Sequence, residues 1–166
     1  MNELADFVFT PMAKAPEPEL GLERIPVDRY TDPAFLKLED ERIWSKTWLL
    51  AGAVCDVTEP GGFFVFEHLR ESILVTCADD GIVRAFYNVC QHRGNQLKKS
   101  GFGNSPYLSC GFHGWEYHLD GMIKDIPEAH DFRQGVPSEE LSLRELRCEV
   151  WGGFVWVSMD PNSNRR

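Results

Sequence analysis

Two short runs constrain this chain more than anything else in it. Cys90-Gln91-His92 is a C-x-H pair and Cys110-Gly111-Phe112-His113 a C-x-x-H pair, with 17 residues between His92 and Cys110. Two thiolates and two imidazoles arranged as pairs are the donor set of a metal centre. Thiolates suit one soft iron and neutral imidazoles a second, so the pairs fit a two-iron cluster with unlike ends. A structural zinc site uses the same residue types. A zinc finger, however, wants both His on one helix turn, whereas each His here follows its own Cys. Gly94, Gly111 and Gly114 flank the candidate ligands, where positive φ and close backbone approach to a metal centre are useful. The chain must therefore deliver two loops to one place from a rigid scaffold.

The scaffold reads as β. Trp48 to Val54, Gly62 to Phe66, Ile73 to Ala78 and Ile82 to Asn88 are short β-branched or aromatic runs. Tyr107 to Cys110, Trp115 to His118, Met122 to Lys124, Leu143 to Val150 and Phe154 to Ser158 continue them. Pro60-Gly61-Gly62, Asp79-Asp80-Gly81, Asp120-Gly121 and Trp151-Gly152-Gly153 punctuate the series. Asp-Gly between apolar runs predicts a hairpin in which both turn residues take positive φ. Many short strands with regular turns predict a mainly β, antiparallel sandwich or barrel. The candidate ligands fall in two loops, Cys90 to about Leu97 and Cys110 to Trp115.

Ahead of the strands, residues 1–28 hold Pro11, Pro16, Pro18 and Pro26 and predict an extended arm. Asp32-Pro33 then opens one short helix, with Asp32 as cap and Pro33 at the first helical position. That helix is expected to reach about Lys46 and to bury Phe35, Leu36, Ile43 and Trp44.

A length of 166 residues suits one domain. The formal charge of −9 excludes a nucleic-acid partner, whose phosphates it would repel. No apolar run is long enough to span a bilayer. The acidic start, Met1 to Asp6, lacks the apolar stretch of a signal peptide. Five cysteines leave one over from any disulfide set. A reducing, cytoplasmic setting is the expectation. Cys55, Cys77 and Cys148 are read as small buried groups, and His68, His118 and His130 as surface groups. Trp44, Trp48, Trp151 and Trp156 are read as core, whereas Trp115, directly after a candidate ligand pair, is read as a shield. Lys98-Lys99 is read as solvated loop charge, with docking of an acidic reductase as the competing role.

The loop sequences Cys90-Gln91-His92-Arg93-Gly94 and Cys110-Gly111-Phe112-His113-Gly114-Trp115-Glu116-Tyr117 resemble the cluster loops of Rieske non-haem iron oxygenases, the ring-hydroxylating enzymes. Ile25 to Gly52, with Tyr30-Thr31-Asp32-Pro33 and Trp44-Ser45-Lys46-Thr47-Trp48, resembles their lead-in segment, and Trp151 to Val157 their closing strand. The resemblance covers about residues 25–161 and matches the N-terminal domain of the α subunit. It implies a Rieske-type antiparallel β-sandwich with a two-loop cluster-binding subdomain over residues 29–161, and a linker beginning at 162–166. It implies a Rieske [2Fe–2S] cluster on Cys90, His92, Cys110 and His113, with Trp115 and Tyr117 beside it.

The role implied is one-electron transfer within an O₂-dependent, NAD(P)H-driven oxygenase, of the kind found in aromatic hydrocarbon catabolism. The donor would be a reductase or ferredoxin, and the acceptor the catalytic domain of a neighbouring α subunit in a homo-oligomer or αβ hetero-oligomer. The mononuclear Fe(II) of such enzymes would lie in a further domain beyond Arg166, so no catalytic residue is assigned here. A stand-alone Rieske ferredoxin and a zinc-stabilised binding module are the competing readings. Respiratory-chain Rieske proteins carry a disulfide cysteine at the positions of Asn95 and Phe112, and a serine at that of Trp115. Lacking that hydroxyl donor, the resemblance implies a low potential, about −150 mV.

Overall fold

The structure, a computed structural model, describes Pro16, Glu19 and residues 21–162. Most of the expected arm therefore lies outside the described residues, as do 163–166 of the expected linker. Residues 21–27 are exposed and carry no helix or strand.

The helix expected from Asp32-Pro33 is present as α2 (Pro33–Arg42), and one additional turn, α1 (Asp28–Thr31), precedes it. Asp32 interrupts them with extended backbone and caps α2 by accepting from Ala34 N at 2.8 Å. The helix stops at Arg42 because Ile43 leaves helical geometry, and a separate 3-10 turn follows at Trp44–Lys46. The expected burial fails: Leu36 and Ile43 are about half exposed, and Phe35 and Trp44 are only part-buried. Apolar residues on α2 do not gather on one stripe, so the helix has no face to bury.

Ten strands follow among the described residues. A seven-stranded antiparallel sheet contains β1 (Leu49–Ala53), β2 (Gly62–His68), β3 (Glu71–Cys77), β4 (Val83–Tyr87), β5 (Gly101–Asn104), β9 (Glu145–Trp151) and β10 (Phe154–Ser158). Its order is β1-β10-β9-β4-β3-β2-β5. A three-stranded sheet holds β6 (Leu108–Ser109), β7 (Glu116–Tyr117) and β8 (Ile123–Asp125) in sequence order. The large sheet curls. Gly52 of β1 sits against the Phe64 ring of β2, so close that a Cβ there would lie 2.8 Å from it, although the two strands are far apart in the sheet order.

The central strands are covered on both faces, as their unbroken apolar runs require. In β3, Ile73, Val75 and Cys77 enter one core with Leu49, Val57, Phe64, Val155 and Val157. Leu74, from the same strand, enters a second core with Phe86, Leu108, Trp115, Tyr117, Leu119 and Leu143. The small sheet and the two loops sit on that second core. Buried Thr76 joins the layers, donating from its hydroxyl to Leu119 O at 2.7 Å.

The two Asp-Gly hairpins are correct in place but not in turn type. Gly81 (φ +73°) and Gly121 (φ +88°) are left-handed, whereas Asp80 and Asp120 are not. Gly81 N donates to Ala78 O, and Ala78 N to Ile82 O. Gly121 N and His118 N repeat the pattern on His118 O and Met122 O. Each is a type I turn closed by a left-handed glycine. Each Asp accepts from the backbone two residues on: Ile82 N at 2.9 Å for Asp80 and Met122 N at 3.0 Å for Asp120.

Several surface and core expectations reverse. Trp151 is 74 % exposed, and Trp48 and Trp156 are part-buried. Val155 and Val157 are fully buried on the inner face, so alternation sends Phe154 and Trp156 outward, and Trp151 pairs with Phe154 on that outer face. His68 is half-buried between Trp44 and Phe66, at ring separations of 5.9 and 6.0 Å, whereas His118 and His130 are exposed as expected. Lys98 is half-buried over the Phe63 ring, so of the lysine pair Lys99 is the exposed charge.

Cys77 is buried, but Cys55 lies exposed on the 3-10 turn Val54–Val57. Burial pushes the Cys77 thiol up and, aided by Glu145 and Glu149, drives Cys148 to about 12. Thiolates are the reactive species. At pH 8, therefore, Cys55 is expected to alkylate well ahead of Cys77 and Cys148 in the native protein, and all five cysteines to alkylate after denaturation. Peptide mapping of iodoacetamide adducts checks this; rapid labelling of Cys148 would contradict it.

Candidate metal centre

Loop one leaves β4 and loop two joins β6 to β7. Asn88 anchors the first. Its side-chain amide donates to Lys98 O at 2.7 Å and to Ser72 Oγ at 3.0 Å, and its Oδ1 accepts from Lys98 N at 3.0 Å. One buried side chain thus ties both ends of loop one to β3. A polar residue ending a strand run gave no sign of this role in the sequence.

The loops close in the same way. Cys90 N donates to Asn95 O, and Cys110 N to Trp115 O, both at 2.8 Å. Gly94 N donates to Cys90 O, and Gly114 N to Cys110 O, both at 3.0 Å. Gly94 (φ +72°) and Gly114 (φ +74°) make these turns possible. Gly111, the third flanking glycine, has ordinary negative φ and open space around it.

This closure brings all four candidate ligands together as two pairs. Cys90 and Cys110 are both buried in the second core, where each thiol influences the ionisation of the other. The His92 and His113 rings stand 4.6 Å apart at 65° toward the surface. Among the described residues, no three His, Cys, Asp or Glu side chains converge on a single ion position. A mononuclear zinc site needs such convergence, whereas a two-iron cluster needs two ligands at each end.

The chemistry of the pairs differs. Burial pushes the Cys90 thiol up, against the Tyr117 hydroxyl and the His92 N–H. Burial also opposes ionisation of Cys110, but the backbone N–H groups of Phe112 and His113 outweigh it and hold that thiol below its usual range. The site thus carries fixed donors directed at sulfur. His92 Nδ1 is buried with no hydrogen-bond partner. A stranded polar atom costs about 1–3 kcal/mol, and an iron would satisfy it. The residues present fit the cluster.

Trp115 and Tyr117 adjoin the candidate ligands. Trp115 is buried and stacks on His92 at 4.8 Å with rings 6° from parallel, and meets the Phe132 ring edge-on at 6.5 Å. Tyr117 is fully buried, its Oη 3.2 Å from Cys90 Sγ, and accepts from Gln91 N at 3.0 Å. Desolvation, with Cys90 nearby, raises its hydroxyl pKa, so it stays a donor. Phe112 is 64 % exposed and lies on His113 at 4.0 Å.

Residues 47–142 match the family model of the Rieske [2Fe-2S] domain. The chain belongs to that family: it is a Rieske domain, whose role is electron transfer. Its relatives are oxygenase α subunits, and it corresponds to their N-terminal part. Choline monooxygenase of Spinacia oleracea is 38% identical over 135 residues, covering 81% of this chain and 30% of that protein. Benzene 1,2-dioxygenase subunit alpha of Pseudomonas putida is 29% identical, covering 81% of this chain and 30% of that protein. The solved structure of the quaternary ammonium Rieske monooxygenase CntA with L-carnitine superposes with a TM-score of 0.78 at 30% identity, over 84% of this chain and 40% of that one. The chain thus spans about a third of the length of the curated relatives it matches. The expectation of aromatic hydrocarbon catabolism fits the benzene relative but not the choline and carnitine ones. Among the described residues no helix is long and apolar enough to cross a membrane.

Proposed function

We propose that residues 29–161 form a one-electron relay in which Cys90 and Cys110 hold one iron of a Rieske [2Fe–2S] cluster and His92 and His113 the other. The observation that carries this is the two-and-two pairing, with buried sulfurs inside and imidazoles outside. Such a cluster supplies a one-electron couple, its added electron favouring the imidazole-bound iron. Trp115 keeps water from the inner side of His92, and Tyr117 donates its hydroxyl to the Cys90 sulfur. His113, beneath exposed Phe112, is the exit for the electron.

The donor is a reductase or ferredoxin drawing on NAD(P)H. An open groove of about 660 Å³ beside loop one is lined by Arg70 and Arg144 together with Glu71, and this net positive lining on an otherwise acidic chain offers an acidic donor an approach. The acceptor is the catalytic domain of a neighbouring α subunit, in a homo-oligomer or αβ hetero-oligomer of the cytoplasm. There, two His and one carboxylate would hold a mononuclear Fe(II) that performs O₂-dependent hydroxylation. The relatives named above support this assignment.

Purified protein is expected to contain about two iron and two acid-labile sulfide per chain. It should be red-brown and give a reduced EPR signal with average g below that of all-cysteine clusters. Metal and sulfide analysis together with EPR checks this; stoichiometric zinc without sulfide would refute it.

A further inference from the structure

We infer that Asn95 sets the reduction potential of the centre by donating its side-chain amide to the Cys110 sulfur, across the gap between the two loops. The inference rests on the cluster reading above. Asn95 belongs to loop one, yet its Nδ2 lies 3.6 Å from Cys110 Sγ in loop two. Nothing about this reach is loose. The residue's own carbonyl accepts from Cys90 N at 2.8 Å, so the closure of loop one fixes its backbone. The same Nδ2 donates to Gln96 O at 2.9 Å, which orients the amide.

Each sulfur thereby gains a side-chain donor from the opposite loop or strand. Tyr117 Oη serves Cys90 at 3.2 Å, and Asn95 Nδ2 serves Cys110. Gln91 N–H already donates to the Tyr117 oxygen, and a ligated Cys90 has no proton, so the tyrosine hydroxyl is the donor in that contact. The Asn95 amide needs no such deduction, because an NH₂ group donates only.

A one-electron reductant such as dithionite adds one negative charge to the centre, with no bond made or broken and no proton required. Part of that charge resides on the thiolate sulfurs. An N–H dipole fixed on Cys110 Sγ is therefore more favourable after reduction than before it. Removing it favours the oxidised state. Asn95 does not titrate, so the shift is the same at every pH, unlike one that arises from a change in an imidazole.

The test is protein-film voltammetry from pH 6 to 9 on four loaded proteins: the parent, Asn95→Leu, Asn95→Gln and Asn95→Asp. Leu keeps the volume and removes the N–H. Gln restores an amide on a longer arm. Asp keeps the shape but offers an acceptor and a negative charge. In Asn95→Leu the equilibrium constant for reduction is expected to fall about tenfold, which is about 59 mV for one electron. Asn95→Asp falls further, and Asn95→Gln recovers part of the loss. Full iron and sulfide content with unchanged potentials in Leu and Asp would overturn the inference. Pulsed EPR of the reduced parent carrying ¹⁵N-asparagine gives a second measurement independent of variant folding. A side-chain ¹⁵N coupling is expected, and its absence would also overturn the assignment. If the parent itself binds no sulfide, the cluster reading fails first, before any substitution is compared.

Discussion

His92→Ala or His113→Ala yields a colourless chain, with iron and sulfide falling from about two of each to near zero. Each iron of a Rieske centre takes two bridging sulfides and two protein ligands. The other three ligands are each already committed to the centre, so none of them can take the place of a lost imidazole. An alanine therefore opens one iron to water, and the centre hydrolyses. The two variants differ in their cost to the fold. His113 meets exposed Phe112, so its loss leaves the core intact. His92 stacks on buried Trp115, a contact worth about 0.5–1.5 kcal/mol beyond the area buried. His92→Ala thus loses that stack as well as the cluster, and unfolds at lower temperature than His113→Ala. Far-UV circular dichroism stays β-like in both, since the core of the large sheet does not include the loops. Iron and sulfide assays with thermal melts check both statements. A variant that kept its full colour and sulfide would strike that histidine from the ligand set.

The two loops were legible because four residues of two types, Cys and His, stand at fixed spacing, with glycines where the turns need them. Strand Phe154–Ser158 was legible to the residue because β-branched and aromatic residues fill it and Gly152-Gly153 precede it. Strand β5 was not. Gly101-Phe102-Gly103-Asn104 has no alternation, and it is a strand because it lies along β2 at the sheet edge, where Gly103 lets the Phe63 ring lie within 2.4 Å of where a Cβ would be. The tryptophans misled for a related reason. Their apolar surface is visible in sequence, but the face they occupy is set by register, and a step of one residue sends Val155 inward and Trp156 outward. The polar residues that hold the site were the least visible. Asn88, Asn95 and Thr76 act through contacts between segments distant in sequence, which no local pattern encodes.

The turn at Gly121 tests how tightly the scaffold grips the centre. Gly81 and Gly121 close turns of the same type with similar φ, +73° and +88°. A Cβ on Gly81 would meet nothing within 4 Å, whereas one on Gly121 would lie 2.4 Å from the Phe86 ring. Gly81→Ala therefore costs left-handed strain alone, about 1–2 kcal/mol. Gly121→Ala adds the displacement of Phe86, a ring 1 % exposed in the core beneath the loops, at about 1–3 kcal/mol more. The sum is a large share of a typical total of about 5–15 kcal/mol. Displacing Phe86 also reaches the site. Gly121 O accepts from Leu143 N, and Leu119, two residues back, holds Thr76. The strand just before this turn carries Tyr117, whose hydroxyl sits on Cys90 Sγ. Gly121→Ala is thus expected to melt about 10 °C below the parent and Gly81→Ala only a few degrees below. In Gly121→Ala the visible absorption of the cluster should bleach together with the fold. Parallel thermal scans at 222 nm and in the visible region decide it. Equal shifts for the two variants would show that Phe86 yields without cost, and that the core beneath the loops is softer than its packing implies.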